Sequence, residues 1–202
     1  MTFFGLRITG PDAGPYVLGQ PLDVLDGDLH LGRLNSVSLS PGGELLLDDF
    51  RTTDLSRMGT WRTARLVVVE ILSFFVYRFP SISTFGISLS ADIDALQATA
   101  GAAARLAEAR TQMLQSVGAS EIRMTPRPHP RHAAHFVVSA AWHYNTDNAQ
   151  LLAEVLAQER LAYAERRQAG AAQAAPAPAP PRSMIGRLLA KDRHNNDNPA
   201  AT

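Results

Sequence analysis

Apolar and polar positions along this chain change period several times, and each change marks an element. Thr2–Thr9 alternates, with Phe4, Leu6 and Ile8 on one face, as a half-buried strand requires. Gly10-Pro11-Asp12 supplies turn chemistry that ends it. Residues 11–28, with their prolines, glycines and the acids Asp23, Asp26 and Asp28, read as loop with one helical turn. His30–Leu39 and Glu44–Phe50 flank Pro41-Gly42-Gly43 and predict a hairpin. Arg51–Arg62 is polar and turn-like. A helix from about Thr63 to Phe79 carries apolar residues round almost its whole circumference, so it should be covered on most sides. Pro80 stops it.

The second half of the pattern is equally segmented. Ser81–Ser90 puts Phe85, Ile87 and Leu89 on one side, as in a strand. Ser90 is a suitable N-cap, and Asp92 and Asp94 suit the positive end of the helix that follows. Leu96, Ala103, Leu106, Met113, Leu114 and Val117 share that helix's apolar stripe, and Gly118 is its C-terminal stop. Glu121–Thr125 reads as a short strand with Ile122 and Met124 inward. Pro126–His135 is a proline- and arginine-rich connection. Phe136–Tyr144 alternates cleanly. Thr146 or Asp147 caps a final helix of about twenty residues, which Leu152, Val155, Leu156 and Tyr163 can dock.

Strands alternating with helices favour a sheet with helices packed on its faces. The fold class expected is α/β (α+β): a single mixed, mainly antiparallel sheet flanked by two or three helices in three layers. Residues 1–168 form that globular domain. Residues 169–183 are an alanine- and proline-rich tether, too extended to build a core, and 184–202 a flexible tail.

The chain has 202 residues and a formal net charge of +0, so no global field draws it to nucleic acid or anionic lipid. It has no cysteine, which excludes disulfides, thiolate catalysis and cysteine-ligated zinc. The N-terminus lacks the pattern of a signal peptide. Leu66–Tyr77 contains Glu70 and is too short to span a bilayer, so it reads as a buried helix. A cytoplasmic protein is expected, without a transmembrane segment, although export without a cleaved leader stays open.

The run from Glu44 to Tyr144 resembles the C-terminal two-thirds of the GNAT acyltransferase fold. In that family a central strand leads into a pyrophosphate-binding loop, then a helix, a strand, a second helix and two closing strands. ELLLDDFRT resembles the central strand, RMGTWR the loop, TARLVVVEILSFFVYRF the helix after it, and SISTFGISLS the next strand. LAEARTQMLQSVGASEIRM is similar to the later helix–strand passage. The resemblance implies transfer of an acyl group from acetyl-CoA or another acyl-CoA to an amine. It implies that the backbone of Phe50, Arg51 and Thr52 holds the pantetheine arm, and that Arg57, Gly59, Thr60 and Arg62 take the pyrophosphate. A helix start offers free N–H groups and a favourable dipole for such an anion. The family's Arg/Gln-x-x-Gly-x-Gly/Ala spacing is not matched, and Trp61 stands where a small residue is usual. Asp48 or Asp49 would accept the amine proton. Alternation puts the two on opposite sides of the strand, so one alone can serve.

Other residues suggest other chemistry. Glu70 lies in a helix apolar nearly all round and needs a partner; Arg123, Arg7 and the Ser73 hydroxyl are the candidates. His129, His132 and His135 recur every three residues with His143 downstream, but a proline-broken loop does not set them on one face, and no metal site is expected. Asp23, Asp26 and Asp28 do not have calcium-loop spacing. The cationic RPHPRHAAH loop lacks the interleaved aromatics of a nucleic-acid surface, and no nucleic acid is expected. Met184, Ile185, Leu188 and Leu189 recur at helical spacing opposite Arg187, Lys191 and Arg193. A tethered peptide of this kind, Met184–Arg193, can dock in a partner's groove. The alternative to an acyltransferase is therefore a non-enzymatic adaptor that binds a protein partner through its domain surface and this peptide.

Overall fold

The computed structural model describes residues 6–52, 61–90, 99–128 and 134–174; for Thr52, Trp61 and residues 170–174 it describes the backbone alone. The strands are β1 (Arg7–Thr9), β2 (Leu22–Asp26), β3 (Leu29–Leu39), β4 (Leu45–Thr52), β5 (Thr84–Leu89), β6 (Ser120–Arg127) and β7 (His135–His143). The helices are α1 (Trp61–Arg78), α2 (Ala100–Ser116) and α3 (Thr146–Ala174). One seven-stranded sheet has the order β1-β2-β3-β4-β5-β7-β6. Every neighbouring pair is antiparallel except β4 and β5, which run parallel. A parallel pair needs a crossover, and α1 supplies it. From β4 onward the order is strand, helix, strand, helix, strand, strand, as expected of Glu44–Tyr144.

Turn chemistry fixes the β3–β4 hairpin. Gly43 takes φ +83°, which a side chain would disfavour. The Ser40 N–H donates to the Glu44 carbonyl at 2.8 Å, and the Gly43 N–H to the Ser40 carbonyl at 3.0 Å. The register follows as Leu39↔Leu45, Val37↔Leu47 and Ser36↔Asp48. Across the next ladders Leu45 pairs Phe85 and Leu47 pairs Ile87, while Phe85 pairs Trp142 and Ile87 pairs Ala140. All six are buried and share one face of the pleat. Leu46 and Gly86, on the other face, are more exposed.

Helix α1 fits its sequence. Leu66, Val67, Val69, Ile71, Leu72, Phe75 and Val76 are all buried, so apolar residues on every side are matched by cover on nearly every side. Phe74, Phe75 and Phe79 pack edge to face around Tyr16 from the loop after β1. Ala103, Leu106, Met113, Leu114 and Val117 keep the stripe expected of α2. Trp142 is wholly buried, and its indole N–H donates to the Val117 carbonyl at 2.7 Å, which ties the end of α2 to β7.

Several expectations need correction. Leu22–Asp26 is a strand, not loop; its acid Asp23 is buried because Arg33 and His30 hydrogen-bond to it across β2 and β3. The described helix α2 starts at Ala100, and its cap is Thr99, whose hydroxyl accepts the Ala102 N–H at 3.1 Å. The residues that Ser90 would cap, with Asp92, Asp94 and Leu96, lie outside the described residues. The cap of α3 is Asn145, whose side-chain oxygen accepts the Asn148 N–H at 2.8 Å, and α3 runs on through alanines to Ala174. Met124 is 49% exposed rather than inward. A register shift between Ser120 and Arg123, with Glu121 at φ +51°, breaks the alternation in β6.

Glu70 is 4% exposed and does find a partner, but not one of those anticipated. Arg160 of α3 grips it with two bonds of 2.6 and 2.7 Å across ninety positions of sequence. Arg65 and Glu159 make a second ion pair between the same helices at 2.7 Å. Among the described residues no helix is long and apolar enough to cross a membrane.

Candidate active site

The parallel ladder between β4 and β5 is short. It pairs Leu45, Leu46 and Leu47 with Phe85, Gly86 and Ile87 and then stops, although β4 continues to Thr52 and β5 to Leu89. On its other side β4 stays paired with β3, through Leu34↔Phe50, Arg33↔Arg51 and Gly32↔Thr52. The two central strands therefore fork. The final residues of β4 keep one edge without a strand partner among the described residues, and in a strand that edge carries N–H and C=O groups.

Asp49 sits where the fork begins. Its φ of +55° places it in the left-handed region, which costs a non-glycine residue conformational energy. The turn of the backbone there resets the alternation, so that Leu47 and Phe50, three apart, both line the same small cavity. Side chains satisfy the displaced backbone. Asp48 Oδ1 accepts the Asp49 N–H at 2.7 Å, and Asn35 Nδ2 donates to the Asp49 carbonyl at 3.1 Å. Asn35 Nδ2 also lies 3.2 Å from Asp49 Oδ2, and Arg51 Nε pairs with Asp49 Oδ1 at 3.1 Å. The carboxylate beside it holds the exposed Arg51 guanidinium above its ordinary range, chiefly through that hydrogen bond.

Asp48 is exposed and spans the fork. The Ser90 hydroxyl, just past β5, donates to its Oδ1 at 3.3 Å. Deeper in, an apolar cavity of ≈ 30 Å³ lies between the strands and α1, lined by Leu34, Leu47, Phe50, Ile71, Ile87 and Leu89. Buried Arg110 of α2 donates to the Leu89 and Phe136 carbonyls, each at 3.2 Å, and so anchors the end of β5 to β7 rather than to β4. Phe50 is half-buried with its ring against Gly32, where any Cβ would meet the ring at 2.5 Å.

The structure thus brings Asp48, Asp49, Phe50, Arg51 and Thr52 together on one arm of the fork. Arg62 is exposed in the first turn of α1, and that turn holds no acidic residue to neutralise the helix's positive end. Arg57, Gly59 and Thr60 lie outside the described residues, as do His129 and His132; of Trp61 only the backbone is described. His135 is buried near one end of β7, and His143 is exposed at the other, 3.4 Å from the Thr84 hydroxyl. Two participants were absent from the sequence reading, Asn35 and Arg110, and Ser90 entered it only as a helix cap. Asn35 had a signal, because a turn centred on Gly42 sets it opposite Asp49. Nothing local marks Ser90 or Arg110.

No family model matches the chain, and no curated protein matches it. Among solved structures it is similar to the N-terminal domain of a ribosomal-protein-alanine acetyltransferase from Clostridium acetobutylicum ATCC 824, at 12% identity, with a TM-score of 0.43 over 65% of this chain and 86% of that one. It is also similar to a presumed acetyltransferase, at 14% identity, with a TM-score of 0.37 over 65% of this chain and 61% of that one. Both are likenesses of fold.

Proposed function

We propose that this chain is an acyltransferase that moves an acyl group from acetyl-CoA, or another acyl-CoA, to an amine. The observation that carries the reading is the fork. Parallel pairing ends at Leu47 and Ile87, so one edge of β4 beyond them has no strand partner among the described residues, and an 18-residue helix is the next described element along the chain. An open strand edge can pair with the amides of an extended ligand as a further strand would. A helix start without a nearby acid attracts phosphate.

The strand edge beyond Asp49 is what supports this reading for the amide-bearing arm of such a cofactor. The backbone of Phe50, Arg51 and Thr52 would hold the pantetheine arm, because both backbone groups of Asp49 are already bonded. Arg57, Gly59, Thr60 and Arg62 would take the pyrophosphate. Acyl-CoA, when bound, supplies an activated thioester carbonyl. Asp48 is the better proton acceptor of the two acids: it is exposed and touches both arms of the fork, whereas Asp49 is engaged by Asn35 and Arg51. An amine must lose a proton as it attacks, and a positioned carboxylate contributes roughly 10²-fold or more to such a step.

Titration calorimetry with acetyl-CoA is the direct test. Binding is expected, weakened about tenfold by Arg62→Glu, since one charge-assisted contact is worth about that factor. Asp48→Asn should keep that binding while kcat for an amine acceptor falls roughly 10²-fold. No heat at millimolar acetyl-CoA would remove the proposal and leave the adaptor reading, in which Met184–Arg193 engages a protein partner.

A further inference from the structure

A second cleft, of ≈ 450 Å³, lies away from the fork. It is bounded by Leu6 and Ile8 at β1, by one side of α1 from Glu70 to Arg78, and by Leu156 and Arg160 of α3. The fork's small cavity meets α1 at Val68, Ile71 and Leu72, so the two are lined by different residues of that helix. A volume of this order suits a small organic ligand.

The walls are apolar, from Leu6, Ile8, Phe74 and Leu156. Ser73 lines the cleft at 3% exposure, and its hydroxyl has no hydrogen-bond partner among the described residues. A buried hydroxyl without an acceptor is unfavourable, so it is poised to donate to one that a ligand brings. Glu70 is already matched by Arg160 through two bonds. Arg78, exposed in the last turn of α1, is the remaining cation, and no acid is bonded to it among the described residues. Among the described residues the lining therefore carries one positive charge in excess, beside apolar walls and a hydroxyl without an acceptor.

We infer that this cleft binds a monoanionic amphiphile, a carboxylate with a short apolar body, whose head group meets Ser73 Oγ and Arg78. The body lies against Phe74, Ile8 and Leu156. The buried Glu70 carboxylate disfavours a dianion there.

Titration of the full chain with octanoate, octylamine and octanol, followed by backbone NMR shifts, tests this. Octanoate should bind and shift residues 70–78 and 156–160 while leaving 45–52 in place. Octylamine should bind at least tenfold more weakly. Ser73→Ala should raise the melting temperature, because it removes an unsatisfied buried hydroxyl, and yet weaken octanoate severalfold. Arg78→Glu, at an exposed position that folding tolerates, should abolish the preference for the carboxylate. The inference is overturned if octanoate does not bind at millimolar concentration, if octylamine binds as well, or if both variants keep wild-type affinity. Acetyl-CoA binding at the fork is a separate measurement and can fail or succeed alone.

Discussion

Asp49 holds a left-handed backbone within a strand, a conformation that asparagine and aspartate tolerate better than most side chains. Two consequences are testable. Asp49→Asn keeps a short polar side chain and should change stability by no more than about 0.5 kcal/mol. Asp49→Val brings a β-branched side chain to φ +55° and also removes the bonds to Asn35 and Arg51; it should cost about 2–3 kcal/mol. Urea midpoints of the two variants compare them directly. Equal losses would mean that the left-handed turn is not what holds the fork. The residues around Asp49 were legible as acids on a central strand, but their bonding was not. Two adjacent aspartates read as alternate faces of a ladder, and it took a backbone irregularity to turn Asp49 toward Asn35 and Arg51 and leave Asp48 exposed with its Oδ1 on the Asp49 N–H and the Ser90 hydroxyl.

Between elements, α3 is held to α1 by side chains that sit far apart in sequence. The Glu70 carboxylate is 4% exposed, and Arg160 supplies its two hydrogen bonds. Removing one member of such a pair strands the other, and the more deeply buried member suffers more. Arg160→Ala should therefore destabilise by about 2–3 kcal/mol, a value reduced from the fully buried case because the guanidinium is 42% exposed. Glu70→Gln, which leaves the arginine within reach of water, should cost about half as much. Chemical denaturation of both variants measures the order, and a larger loss for Glu70→Gln would contradict it. The helices themselves were readable from their apolar periods. Their first residues were less so: Thr99 and Asn145 compete with several neighbouring capping residues, and local sequence does not rank them.

For the molecule as a whole, acid should act through Asp23. The Arg33 hydrogen bond, more than any other influence, holds the Asp23 carboxyl below its ordinary value of 3.8, and His30 adds to the effect. A carboxyl lowered in the folded state contributes stability that is complete above its unfolded value and is lost as pH falls through its folded value. Stability should thus be level from neutral pH to about 5 and fall below about 4. Asp23→Asn should lower stability at pH 7 and flatten that fall. Denaturation midpoints between pH 2 and 7 read both. An Asn variant with an unchanged acid limb would show that other carboxylates govern it. This triad also explains why β2 was missed. Acids within a five-residue segment signal loop when read locally, whereas here arginine and histidine from β3 match the buried one.

The sequence by itself determined the order of elements from the β3–β4 hairpin onward, the turn around Gly42, the apolar stripes of α2 and α3, and the need for cover on every side of α1. These follow from periodicity and turn chemistry, which act over a few residues. Tertiary structure decided that the β4–β5 ladder ends after Leu47, that Asp48 reaches Ser90, that Arg160 meets Glu70, and that a cleft remains beside Ser73. Each depends on residues brought together from distant positions, and no local pattern encodes which partner arrives. The same distinction applies to the proposed chemistry: the acids were visible in the chain, but the open edge beside them exists only once β5 turns away.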